Sequence, residues 1–295
     1  MIKNIKIKEN YEVRLDKYLK NLYTSLTQSF IEKNIRKKNI LINNHRTTSN
    51  YLIKFDDNLN ILNFHDQLYK NRIIYKKNIK ISKKDLIKFN KSIIFQNSDY
   101  LVLNKWDEIA TQGGSKINVS IDHIIKTINS NYRLVHRLDK ETTGLLLIAK
   151  NLKYAKYFST LFKQKYIKKF YIALCDGTPK NKTSQVNLSI KNKKLKTEMS
   201  VTNYKLLNTK NGISQLLYNP ITGKTHQLRI VSKNLGCPIV GDRKYNFQSK
   251  FNNEQLKLNA HELKFSFKDN LYQFSSLLPN DFIKFIKNYK LKYKK

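Results

Sequence analysis

Residues 133–150 read RLVHRLDKETTGLLLIAK, and the reading of this stretch decides the rest. Leu145, Leu146, Leu147, Ile148 and Ala149 form an apolar run of strand length, and a shorter apolar approach at Leu134 and Val135 precedes it. Between them lies a polar loop with His136, Arg137, Asp139, Lys140, Glu141, Thr142 and Thr143, closed by Gly144. Two buried strands joined by such a loop place one carboxylate, Asp139, at the mouth of a sheet. Loops held by a rigid scaffold are where binding and catalytic groups concentrate. The competing reading is a turn whose Asp caps the segment that follows, and the loop alone does not choose between them.

Composition widens the view. The chain has 295 residues, 57 of them Lys or Arg against 21 Asp or Glu, and a formal net charge of +36. Lys, Asn, Ile and Tyr are abundant while Gly and Pro are scarce, so part of this charge reflects an A+T-rich coding background. A field this positive still attracts polyanions, because each cation that neutralises a phosphate releases condensed counterions. RNA, DNA or the ribosome is therefore the expected class of partner. Against that background the rare residues are informative: all eight Gly fall between Gly113 and Gly241. Two Cys, Cys175 and Cys237, without a CxxC or a His/Cys cluster exclude a disulfide framework and a structural zinc site. His136 and His226 without a third ligand nearby make no metal site. The start, MIKNIKIKEN, lacks the apolar core of a signal peptide, and no apolar run reaches the roughly 18 residues of a membrane span. The expectation is a soluble, cytoplasmic monomer with no membrane association.

The string His136-Arg137-Leu138-Asp139-x-x-Thr142-Thr143-Gly144-Leu145-Leu146-Leu147 closely resembles the signature of RNA pseudouridine synthases of the RluA family, in which the Asp is catalytic. Thr143 stands where Ser is commoner, and the hydroxyl is kept. Further motifs follow in the family's order. Thr222-Gly223-Lys224-Thr225-His226-Gln227-Leu228-Arg229 is similar to its TGRTHQ(I/L)R element, with Lys224 in place of Arg. Residues 238–245, PIVGDRKY, are similar to its PI-x-GD-x-x-Y element, and Asn259-Ala260-His261 and Leu277-Leu278-Pro279 to its last strands. Asn104-Lys105 continues as Trp106-Asp107-Glu108, where the family usually shows Lys-Pro-x-Gly. Gly113-Gly114-Ser115 is closest to the RluC-like branch, which acts on 23S rRNA of the large ribosomal subunit.

The N-terminal 60 residues resemble a second family. From Val13, Leu15, Tyr18, Leu19 and Leu22 recur at helical spacing, and Thr27 is placed to cap a second helix with Phe30, Ile31 and Ile35 on one face. A strand at Ile40-Leu41-Ile42, a turn at Asn43-Asn44 and a strand near Leu59–Leu62 follow. RLDKYL, SFIEKNIRKKNILIN and FDDNLNI carry a likeness to the S4-like RNA-binding module. There Asn39 replaces a usual Gly, and Asn is the next best residue for a left-handed turn. Lys33, Arg36, Lys37 and Lys38 form the basic stripe expected to meet RNA phosphates.

The expected organisation is an S4-like module over 12–63, a Lys-rich linker over 64–90 and a pseudouridine synthase domain over 91–290. The class is α+β, with a mixed, mostly antiparallel sheet and flanking helices. Helices are expected over 117–128, after Asn151, after a Thr225 cap and in the tail from Lys284. Strands are expected at 93–95, 100–103, 168–174, 185–190, 197–207 and 213–219.

The resemblance implies conversion of uridine to pseudouridine without a metal, redox group or nucleotide cofactor. It implies Asp139 as the catalytic carboxylate, by covalent attack or by proton abstraction. Arg229 is the expected ion-pair partner of Asp139, since a nearby guanidinium lowers an Asp pKa by roughly 1–3 units. Tyr171 is the expected ring against the flipped uracil. His136, Arg137, Lys169, Lys224 and Thr225 are the expected RNA contacts around them. Flipping costs a few kcal/mol of unstacking, so groups that replace the lost stacking are needed. Two alternatives stand beside 23S rRNA modification: a synthase with another rRNA or tRNA target, and a non-catalytic RNA-binding assembly factor.

Overall fold

Apolar residues at helical spacing build the first helix pair, and their burial is what holds it. The computed structural model describes residues 1–8, 13–71, 81–114, 117–191 and 196–292. It divides into two compact units, 1–78 and 79–295. In the first, β1 (Lys3–Lys6) precedes α1 (Leu15–Leu22) and α2 (Gln28–Arg36), followed by β2 (Ile40–Ile42), β3 (His45–Arg46) and β4 (Asn58–Ile61). The strands lie in the order β1-β4-β2-β3, antiparallel throughout. Leu15, Leu19, Ile31 and Ile35 of the helices pack with Ile40, Ile42, Leu59 and Ile61 of the sheet. Thr27 caps α2, its side chain accepting from the Phe30 amide.

Two expectations need correction here. The left-handed residue after α2 is Lys38, at φ 61°, and not Asn39. The Asn39 amide donates to the Asn34 carbonyl at 2.9 Å and the Lys38 amide to Ile35 at 3.0 Å. These bonds close the helix as a Schellman motif, which puts the left-handed residue one position earlier. Of the expected linker over 64–90, residues 72–80 lie outside the described residues, and its two ends are ordered into the units beside them. Phe64 and Tyr69 are buried in the first core, and α3 (Lys83–Lys91) is a helix capped by Ser82 whose Phe89 is buried in the second unit.

The second unit continues with β5 (Ile93–Gln96), β6 (Tyr100–Lys105), α4 (Ile121–Ile128), β7 (Arg133–Leu134), β8 (Thr143–Ala149) and α5 (Leu152–Lys163). Then come β9 (Lys168–Asp176), β10 (Thr183–Lys191), β11 (Thr197–Lys210), β12 (Ile213–Pro220), α6 (Gln227–Asn234), β13 (Leu258–Phe267), β14 (Asn270–Ser275) and α7 (Asn280–Asn288). One sheet runs β10-β11-β12-β9-β13-β8-β6-β5, with β14 on β13 and β7 on β8. Its pairings are antiparallel except β13 with β8, which is parallel. The α+β class and the mixed, mostly antiparallel sheet are as expected. Every residue of β8 is buried, as a strand covered on both faces must be.

Some boundaries differ. The helix expected from 117 starts at Ile121, because Ser120 caps it by accepting from the His123 amide. Leu277-Leu278-Pro279 is not a strand but leads into α7, whose N-cap is Pro279. Ser115 of the Gly113-Gly114-Ser115 triplet lies outside the described residues. Among the described residues no helix is long and apolar enough to cross a membrane, and no group of three or more His, Cys, Asp or Glu is disposed to hold a metal ion.

Candidate active site

Asp139 sits in the loop between β7 and β8, and its backbone is held from both sides. On one side the Thr111 hydroxyl accepts from the Leu138 amide at 3.1 Å and donates to the Leu138 carbonyl at 2.7 Å. On the other, the Lys140 carbonyl accepts from Lys105 Nζ at 3.0 Å. Lys105 is itself only 1% exposed and gives its remaining donors to the carbonyls of Trp106 and Ile109. Burial pushes its pKa down to about 7, against the pull of nearby carboxylates. Three carbonyl acceptors around one nitrogen favour the ammonium, since only that form carries three protons to give. The loop after β6 keeps a left-handed residue at the family's Gly position: Glu108 adopts φ 56° there. Gly144 completes the frame at φ 104°, where a Cβ would lie 2.3 Å from the Ala260 carbonyl oxygen.

The carboxylate faces a cavity of about 460 Å³, within the range of small-ligand sites. His136, Arg137, Asp139, Lys169, Tyr171, Lys224, Thr225 and Arg229 all line it. These residues come from the β7–β8 loop, from β9 and from the turn into α6 together with α6 itself, so three stretches far apart in sequence meet at one concavity. Lys163 and Lys165, from the end of α5, add positive charge at the wall. Lys33, Arg36, Lys37 and Lys38 lie on the first unit, all exposed.

The members play different parts. His136 Nε2 accepts from the Leu147 amide at 2.9 Å, and its ring lies against Phe162 at 4.5 Å between centroids. Burial holds its pKa down to about 3, so the ring is neutral and its proton sits on Nδ1. Tyr171 keeps its phenol proton, because burial and then the Asp139 charge push its pKa well up. Burial lowers the Lys169 ammonium pKa. Lys224 Nζ pairs with Glu198 at 2.6 Å.

Arg229 is not the direct partner of Asp139. Its Nε and Nη2 donate to the two oxygens of Asp242 at 2.8 and 2.7 Å, and its Nη1 to Glu141 at 3.2 Å. Arg229 and Asp242 are 4% and 1% exposed. Burial disfavours the guanidinium charge, but Asp242 more than offsets this and holds its pKa above the ordinary value. A bidentate geometry so complete leaves only electrostatic influence for Asp139. Thr225 does not cap α6 either. The N-cap is His226, in the left-handed region at φ 54°, with no side-chain cap.

His226, Tyr245, Thr111 and Asp242 are the site members that sequence reasoning missed. His226 Nε2 lies 4.0 Å from Asp139 Oδ2, and its Nδ1 is 3.0 Å from the Tyr245 hydroxyl. Three of the four stand inside motifs already quoted, so the signal was present as identity but not as role.

Residues 99–234 match a family model described as RNA pseudouridylate synthase. Ribosomal large subunit pseudouridine synthase C of Rickettsia felis is 39% identical over 250 residues, covering 79% of this chain and 81% of that protein. The protein of the same name from Buchnera aphidicola subsp. Baizongia pistaciae is 33% identical over 289 residues, covering 88% of each. Among solved structures, Human RNA Pseudouridylate Synthase Domain Containing 4 shares the fold at a TM-score of 0.62, with 24% identity over 71% of this chain and 97% of that one.

Proposed function

The chain belongs to the RNA pseudouridylate synthase family, and from that membership we propose that it isomerises uridines of 23S rRNA in the large ribosomal subunit, with Asp139 as the catalytic carboxylate. The observation that carries this is the cavity in which Asp139, Tyr171 and cations from three distant stretches of the chain meet. Relatives named ribosomal large subunit pseudouridine synthase C support the choice of RNA.

The reaction breaks the C1′–N1 bond of uridine, turns the base and joins C1′ to C5. C5 loses a proton and N1 gains one, so substrate and product have the same atoms. The chemistry asks for an ionised carboxylate at the sugar, a surface for the extruded base and cations for its phosphates. Asp139 fills the first role. Tyr171 stays a neutral ring beside it and offers a stacking face, a contact worth about 1–3 kcal/mol per base. Arg137, exposed at the cavity, is placed to take the phosphates or to fill the gap the base leaves. Lys169, Lys224 and Thr225 supply further contacts to backbone or uracil. Neutral His136, bound to the Leu147 amide, supports the loop from behind.

The first unit is proposed as an S4-like RNA-binding module. Its helix pair on a small antiparallel sheet and its exposed Lys33, Arg36, Lys37 and Lys38 support this. A pseudouridine map of unmodified 23S rRNA, after incubation with wild type and with Asp139→Ala, tests the whole reading. New pseudouridines with wild type only are expected. Retained activity in Asp139→Ala would remove Asp139 from the chemistry. Salt-sensitive binding without modification of 23S rRNA would move the target to another RNA.

A further inference from the structure

Asp139 has one polar side chain near it that the reaction described above does not use. His226 Nε2 stands 4.0 Å from Asp139 Oδ2, with both side chains 20% exposed. His226 is held in a backbone conformation uncommon for a residue with a Cβ, at φ 54° and ψ 23°. Such residues persist where the surroundings over-determine them, and they concentrate at functional sites. The ring is gripped from behind by the Tyr245 hydroxyl, 3.0 Å from Nδ1. Tyr245 is fixed in turn: its amide donates to Asp242 at 3.0 Å, and the Arg229 guanidinium lies over its ring at 5.4 Å.

We infer that His226 is a positioning residue for Asp139: the Tyr245 hydroxyl donates to Nδ1, so the proton is on Nε2 and faces the carboxylate. The inference rests on the reading of Asp139 as the catalytic group. Its consequence is specific. At 4.0 Å the N–H is beyond hydrogen-bond reach. It therefore biases the direction of the carboxylate without occupying the lone pairs that the substrate needs. A neutral imidazole suits this, since a cation there would close onto Asp139 as an ion pair. Burial lowers the His226 pKa, against the opposing pull of Asp139 and then with Arg229 and Lys244 adding to the lowering, while Glu141 raises it. Tyr245 keeps its hydroxyl proton, because burial raises its pKa. The proton can therefore be given to Nδ1.

Two measurements test the arrangement. In the first, His226→Gly keeps the left-handed backbone without strain and leaves a ring-sized gap. Turnover of 23S rRNA is expected to fall about tenfold or more in kcat, because small misplacement of a reacting group has effects of that order, with KM little changed. Added imidazole should restore it saturably, a response that a merely structural loss would not show. Tyr245→Phe should lower kcat less, and adding it to His226→Gly should cost nothing further, as residues acting through one another are not additive. A His226→Gly enzyme within twofold of wild type, or one deaf to imidazole, overturns the inference, as does full additivity with Tyr245→Phe.

The second measurement needs no RNA, so it separates this inference from the choice of substrate. Nitrogen-15 NMR of the full chain, with His226 assigned by its absence in His226→Gly, should show the Nε2–H tautomer in wild type. A mixture of tautomers is expected in Tyr245→Phe, and a lower His226 pKa in Asp139→Asn. A wild-type ring protonated on Nδ1 would refute the assignment even if the enzyme modified 23S rRNA as proposed.

Discussion

Replacing Asp242 by Asn isolates the charge that neutralises Arg229. Asp242 is 1% exposed and accepts four hydrogen bonds: Arg229 Nε at 2.8 Å, Arg229 Nη2 at 2.7 Å, and the amides of Lys244 and Tyr245 at 3.0 Å each. Asn can keep one oxygen for the two amides, so the backbone turn survives while the charge goes. Removing one partner of a buried ion pair costs about 3–5 kcal/mol, because the other charge is left desolvated and unpaired. Glu141 still reaches Arg229 Nη1 at 3.2 Å, but its side chain is 43% exposed and it is a weaker substitute. The lower end, about 3 kcal/mol, is therefore expected, which for a unit of this size is a fall in Tm of about 6–12 °C. With Arg229→Met already present, the same Asp242→Asn change should cost less than about 1 kcal/mol, since no guanidinium remains to be stranded. Urea denaturation of the four proteins in a double-mutant cycle gives the coupling energy directly. A coupling near zero, with Asp242→Asn nearly harmless, would mean that another carboxylate neutralises Arg229. Glu141, already 3.2 Å from Arg229 Nη1, is the first candidate and Asp139 the next, and the assignment of Asp242 as the main partner of Arg229 would then be wrong.

Three further outcomes follow from the same frame. Gly144→Ala should destabilise the protein by about 3 kcal/mol or more, from overpacking and a forced left-handed backbone, because the new Cβ would meet the Ala260 oxygen at 2.3 Å; a melting temperature equal to wild type would refute the close approach of β8 and β13. His136 takes up a proton near pH 6.5 when unfolded but only near 3 when folded, so the unfolded state binds more protons in between and stability falls as pH drops through that window. The loss from this group between pH 7 and pH 5 is about 2 kcal/mol; the fall in stability between the two pH values should be smaller by that amount in His136→Leu than in wild type, the remainder belonging to groups such as His226 and His261, whose pKa burial also lowers. Thr111→Val removes both hydroxyl contacts to Leu138 and should cost about 1–3 kcal/mol through unsatisfied backbone groups. It should also lower kcat for 23S rRNA more than it raises KM, and an unchanged kcat would show that the clamp on Leu138 does not position Asp139.

What the sequence disclosed and what it withheld follow from how each feature is encoded. The loop at His136–Gly144 was legible because its residues are contiguous and the strand after it is apolar at every position. The expected residues Tyr171, Lys169, Lys224, Thr225 and Arg229 do meet Asp139 at one cavity, because sheet pairing brings β9 beside β13, and β13 runs parallel to β8 at Asn259 and Ala260. Partnership was not legible. Arg229 and Asp242 are thirteen residues apart on either side of the Gly236 turn, and only the fold of that turn decides that they pair rather than Arg229 and Asp139. The α3 helix was hidden because its face is sparse: Phe89 is the one buried residue in a Lys-rich run.

Left-handed positions show the same limit most sharply. Glu108 and Lys38 adopt φ 56° and 61° without the Gly that would have announced them. The Glu108 loop is held by Lys105, whose three carbonyl contacts include Ile109, the residue that follows it. Lys38 is held by the helix-ending bonds to Asn34 and Ile35. In both cases tertiary or helix-end hydrogen bonds outweigh a local cost of about 1–2 kcal/mol. A composition poor in Gly therefore does not imply a fold poor in tight turns. Here the strain has been moved onto residues that also do something else: Lys38 belongs to the basic stripe, Glu108 pairs with Lys140 at 2.6 Å, and His226 faces Asp139.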